Sequence, residues 1–147
     1  MDVLVLYYSK GGNTKRLAQA VAEGVNSVDG AAAVVKDTAE VTKDDFVNCA
    51  GIVAGSPVYF GVMASELKKV FDDFVSVRKQ MEGKVGAAFT TGGGVNGGME
   101  TTIFSIIACF LIYDMVEVGD PMTATGHYSV GCVGEPDEKA TENAKKL

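Results

Sequence analysis

Residues 4–14 read Leu-Val-Leu-Tyr-Tyr-Ser-Lys-Gly-Gly-Asn-Thr, a short apolar strand that runs into a polar, glycine-bearing loop. An amphipathic helix follows at once, with Leu17, Val21, Val25 and Val28 on one stripe. The first-turn N–H groups of a helix lack intrahelical partners, and the macrodipole adds partial positive charge there. A strand that reaches a helix N-terminus through such a loop therefore forms a cradle for phosphate. Gly11 and Gly12 let the backbone curl around an anion. Ser9, Asn13 and Thr14 can add side-chain hydrogen bonds, with Lys10 beside them. An ordinary strand-to-helix turn, capped by Asn13 or Thr14, is the competing explanation of the same residues.

Outward from this stretch, strand and helix patterns alternate to the end of the chain, with no linker and no repeat. Ala31–Val35 reads as a second strand, and Thr42 with Asp45 resembles a capping box opening a short helix. Gly51–Gly55 is a fully apolar strand of the kind buried on both faces. After Ser56–Gly61 comes a helix carrying Met63, Leu67, Val70, Phe71 and Phe74, then a fourth strand at Lys84–Phe89. A helix over 99–112 follows the glycine-rich stretch 90–98. A last strand is expected between Met115 and Val133, interrupted near Gly119-Asp-Pro121, and a helix over 136–147 closes the chain. Alternation of this kind predicts one α/β domain, a five-stranded parallel sheet with right-handed crossovers and helices on both faces.

In such folds, ligands bind outside the C-terminal ends of the strands. The loops after strands one, three and four all lie on that edge, and all three have unusual chemistry. The first lacks both G-x-x-x-x-G-K-[ST] and G-x-G-x-x-G, so it suits a single phosphate rather than a triphosphate or dinucleotide. The second offers Pro57, Val58, Tyr59, Phe60 and Gly61, a rigid turn with aromatic bodies that can flank a planar ring. The third, with Thr91, Gly92, Gly93, Gly94, Asn96 and Gly97, brings backbone N–H groups close to a ligand. One phosphate and one flat heteroaromatic ring with polar edges add up to flavin mononucleotide, FMN.

The set Ser9-x-x-Gly12-Asn13-Thr14, Gly55-Ser56-Pro57-Val58-Tyr59-Phe60-Gly61 and the 91–98 glycine loop resembles the flavodoxin family, in order and spacing, over essentially the whole chain. The resemblance implies a strand order of 2-1-3-4-5, with the FMN phosphate on loop one and the flavin ring between loops two and three. It also implies a low-potential electron carrier acting between redox partner proteins. Two departures matter. Loop three has Val95 and Asn96 where short flavodoxins carry an aromatic residue, and Gly61 is followed by Val62-Met63 rather than acids. The Ser-Pro-x-x-Phe-Gly and Gly-Gly-x-Glu segments are similar to NAD(P)H:quinone oxidoreductases, which makes that activity the alternative.

Composition bounds the partners. The chain has 147 residues with a net charge of −6, and no Lys/Arg stripe that would suit a nucleic acid. Cys49, Cys109 and Cys132 are odd in number and far apart, which fits free thiols in a cytoplasmic protein rather than a disulfide framework. No basic segment, apolar signal region or cleavage site precedes strand one, and a single histidine gives no basis for a histidine metal site. The 99–112 helix is apolar around nearly its whole circumference but too short to span a membrane. Either the helix is deeply buried, which is hard in so small a domain, or it meets a second subunit, and a homodimer interface around Ile106 and Phe110 is the expectation. His127 is expected near the C-terminal end of the last strand, on the ligand edge, where it can hydrogen-bond the flavin or a substrate; a partly exposed loop histidine without a function is the competing explanation.

Overall fold

The computed structural model describes residues 1–147. The parallel sheet has the order β2-β1-β3-β4-β5, from β1 (Asp2–Tyr7), β2 (Ala32–Asp37), β3 (Gly51–Pro57), β4 (Val85–Gly92) and β5 (Val116–Glu117). The fifth position of the sheet is shared. β5 pairs with Val85–Gly86, and after an excursion over 118–129 the chain returns as β6 (Val130–Val133) on Phe89–Gly92. The interruption expected near Gly119 thus divides one strand into two, both parallel to β4.

Alternation along the central strands assigns side chains to two cores. Val5, Val53, Ala87 and Phe89 face α1 (Asn13–Asn26) and α5 (Glu138–Lys146). Leu4, Leu6, Ile52, Ala54 and Ala88 face α2 (Lys43–Asn48), α3 (Ser65–Asp73) and α4 (Met99–Ile112). On the first face the two helices approach closely, and a β-carbon at Gly24 of α1 would stand 2.2 Å from the carbonyl oxygen of Lys145. On the second face Phe46 is the hub, meeting Phe71, Phe74 and Tyr113 edge-on at centroid distances of 6.2, 5.0 and 6.2 Å.

Helix α2 shows how locally the sequence acts. Its capping box forms as expected: the Asp45 N–H donates to the Thr42 hydroxyl (3.3 Å), and the Thr42 N–H donates to the Asp45 carboxylate (2.8 Å). At the other end the Lys84 ammonium donates to the carbonyls of Phe46, Val47 and Cys49, placing a cation on the negative pole of the helix.

Helix α4 corrects one sequence expectation. Ile103, Ile106 and Phe110 are fully covered by the chain's own sheet and neighbouring helices. What remains outside is a narrower stripe of Phe104, Leu111 and Ile112, 49%, 61% and 64% exposed. No helix is long and apolar enough to cross a membrane.

Candidate cofactor site

β1, β3 and β4 end at one edge, and their three following loops enclose a cleft of about 410 Å³. Loop one supplies Ser9, Lys10, Gly11, Asn13 and Thr14 to its lining. Gly12 stands at the N-cap of α1 with φ 93°, and no side chain caps the helix, so first-turn N–H donors stay open to a ligand. The Gly12 N–H donates to the Ser9 hydroxyl (3.1 Å), which keeps its own proton for another acceptor. Thr14 is buried, and its hydroxyl shares a hydrogen bond of 2.8 Å with that of Thr91, clipping the start of α1 to the end of β4. A β-carbon at Gly11, Gly12, Gly93 or Gly94 would meet nothing within 4 Å, so these backbones border open space. Uncapped N–H groups, a free hydroxyl proton and the Lys10 ammonium are a donor set that fits a phosphate.

Loop two contributes Pro57, Val58 and Tyr59 to the cleft. Buried hydrogen bonds hold its base: the Ala64 N–H donates to the Ser56 hydroxyl (2.8 Å), and the Thr90 hydroxyl donates to the Ser56 carbonyl (2.7 Å). At its tip Tyr59 and Val62 exchange two backbone hydrogen bonds, 3.0 and 3.2 Å, across Phe60 (φ 51°) and Gly61 (φ 80°). Positive φ at both central residues is the geometry of a type I′ turn. A phenylalanine in that region is unusual, and this one is wholly exposed. The turn is wedged against loop three, because a β-carbon at Gly98 would lie 2.9 Å from Gly61 Cα. Tyr8, just past β1, meets Tyr59 edge-on at 6.3 Å. A hydrogen bond with Glu66, and then burial, push the Tyr8 phenol up to about 12, so it stays protonated.

Loop three contributes Thr91, Gly92 and Gly93, while Gly94, Asn96 and Gly97 form the turn beyond them, with the Gly97 N–H on the Gly94 carbonyl (3.2 Å). Gly12, Phe60 and Gly61 flank the cleft without lining it. The expected position of His127 is corrected: it lies in the 118–129 excursion, three residues before β6 begins, and does not line the cleft. The strand's far end brings Gly134 there instead, its N–H on the Gly92 carbonyl (2.8 Å). The signal for Gly134 was the Gly-Glu-Pro stop after Val130–Val133. Lys10 is the one charged residue in the lining, and no cluster of acids, histidines and thiols could hold a metal ion.

The model of the NADPH-dependent FMN reductase family matches residues 27–129. A flavodoxin of Aquifex aeolicus is 35% identical over 99% of this chain and 82% of its own length. An NAD(P)H dehydrogenase (quinone) of Azorhizobium caulinodans is 37% identical over 87% of this chain and 75% of its own length. Among solved structures, a flavodoxin from the domain Archaea superposes with a TM-score of 0.83 at 25% identity, covering 100% of this chain and 93% of the other. A flavodoxin, WrbA-like protein from Agrobacterium tumefaciens gives 0.81 at 23% identity, over 98% and 90% of the two chains.

Proposed function

The chain belongs to the flavodoxin-like family of FMN-binding proteins, and from that membership we propose that it is an electron carrier passing electrons between redox partner proteins in the cytoplasm. FMN is its cofactor and supplies one- or two-electron chemistry when bound. Loop one would hold the phosphate on the open N–H groups of α1, the Ser9 hydroxyl and Lys10. Tyr59 and the Gly92-Gly93 backbone would flank the ring. The observation that carries the reading is the apolar collar at the mouth of the cleft: Phe60, Val62 and Val95 are 107%, 50% and 80% exposed on the two ring loops. Exposed apolar side chains fixed on braced turns beside a cofactor edge suit transient docking of a partner protein.

A second reading, FMN-dependent NAD(P)H:quinone oxidoreduction, is favoured by the lining itself. It holds Lys10 and no carboxylate, so it does not repel an anionic dinucleotide, and it places little negative charge beside a reduced ring. Steady-state oxidation of NADH or NADPH with a benzoquinone decides between the two. The carrier reading expects slow turnover, and rates well above ~1 s⁻¹ would replace it with the oxidoreductase.

Assembly as a homodimer is part of the same proposal, now placed on the outward stripe of α4. That stripe consists of Phe104, Leu111 and Ile112, all exposed. Wild type is expected to sediment as a dimer at micromolar concentration and Leu111→Glu as a monomer, since an unpaired charge inside an apolar interface is strongly unfavourable. A monomeric wild type removes the dimer.

A further inference from the structure

Val116-Glu117-Val118 alternates as an edge strand with its valines inward and its acid in water would. The structure has the opposite phase. Both valines are exposed, whereas both carboxyl oxygens of Glu117 are buried without a hydrogen-bond partner, the only side-chain polar atoms in the chain so placed. Glu117 pairs with Gly86 in the register, and its side chain fills the space a side chain at 86 would need. A β-carbon on Gly86 would come within 2.5 Å of Glu117 Oε1 and 2.9 Å of the Phe110 ring. The acid thus lies over bare backbone of β4, beside the Phe110 ring of α4.

Burial without a partner is costly for a carboxylate and far less so for a neutral acid. No charged group facing Glu117 offsets that cost. On the β4 side, the Lys84 ammonium is turned to the carbonyls at the end of α2. On the α4 side, the Tyr113 hydroxyl donates to the Phe71 carbonyl (2.5 Å), and Cys109 is a buried thiol. Asp114, in the turn between α4 and β5, carries a like charge and gives no compensation. Desolvation alone pushes the Glu117 carboxyl up to about 7.

We propose that Glu117 is a proton-operated latch: as a neutral acid it seats β5 against β4, and its ionisation favours release of the 114–120 segment from the sheet edge. The sign follows from linkage. The seated form holds its proton up to about 7, and the released form has an ordinary carboxyl, near 4.5. Seating is therefore complete below 4.5 and weakens about tenfold per pH unit between those values. Above 7 it levels off, after a total loss of roughly 300-fold.

Two amides report on the latch directly. The Val116 N–H donates to the Lys84 carbonyl (2.8 Å) and the Val118 N–H to the Gly86 carbonyl (2.9 Å). In the FMN-bound protein, hydrogen-exchange protection of these two amides, corrected for intrinsic exchange, is expected to fall about 40-fold from pH 5 to pH 7 and only about twofold beyond. Protection in β1 and β3 should hold. Glu117→Gln, isosteric and uncharged, should abolish the dependence. Constant protection in wild type overturns the latch, as does an equal fall in the glutamine variant. The carbon-13 resonance of the Glu117 carboxyl gives a measurement that needs no variant: a midpoint near 7 supports the latch, and one in the ordinary carboxylate range overturns it.

Discussion

Alanine at position 24 is expected to destabilise the protein by about 2–3 kcal/mol, although helix propensity alone argues for the opposite sign. Inside an exposed helix, alanine would gain about 1 kcal/mol over glycine. Gly24 is buried in α1, and its missing β-carbon is where α5 approaches, 2.2 Å from the Lys145 carbonyl oxygen and 2.8 Å from its Cα. Those are backbone atoms that no rotamer change can withdraw, so α5 must shift and the contacts of Ala140 and Ala144 with the sheet must loosen. For a chain of this size, the melting temperature should drop by roughly 5–10 °C. An unchanged or raised melting temperature for Gly24→Ala would show that the two helices do not pack as described.

The second large effect concerns the cofactor, and two hydroxyls separate binding from folding. Ser9→Ala should weaken FMN binding by roughly 10- to 150-fold, the equivalent of about 1.5–3 kcal/mol for a hydrogen bond to a charged group. It should leave the apoprotein close to wild-type stability, because Ser9 is only partly buried and serves the loop alone. Thr14→Val should weaken binding comparably and also destabilise the apoprotein by about 1–3 kcal/mol, since it orphans the buried Thr91 hydroxyl. Equilibrium titration of apoprotein with FMN, paired with urea unfolding, reads both quantities. An unchanged dissociation constant in both variants would place the phosphate elsewhere.

The difference between these hydroxyls was not visible in the sequence, where Ser9 and Thr14 read as equivalent phosphate donors. Loop chemistry is local and legible: the glycines, the run from Ser56 to Gly61 and the Thr42–Asp45 box each carry their geometry in neighbouring residues. The apolar runs of β1 and β3 are equally plain, because central parallel strands are buried on both faces. Residue 91, by contrast, lies 77 positions from Thr14, and only the closed sheet brings the two together. Length and apolarity failed for α4, whose all-round hydrophobic surface suggested an interface at Ile106 and Phe110. The helix is instead sunk into its own chain, which leaves only an outer stripe. His127 was misplaced for a topological reason: its position depends on where the last strand resumes, and the alternation of residues 115–133 does not mark that point. The inverted phase of Val116-Glu117-Val118 was hidden in the same way, since it depends on the glycine opposite.

The divided fifth strand bears on how this chain can change length. β5 and β6 sit on β4 only three positions apart, at Gly86 and Phe89, yet residues 118–129 intervene between them. Each half-strand is fixed by its own pairing. The connecting segment is tied at its ends by the Ser129 N–H on the Asp120 carboxylate (2.6 Å) and by the Ser129 hydroxyl on the Ala88 carbonyl. Its apex at Met122 is wholly exposed. Doubling such a loop adds only about 0.6 kcal/mol of closure entropy. An inserted peptide or a whole reporter domain after Met122 would therefore be tolerated with the cofactor edge untouched.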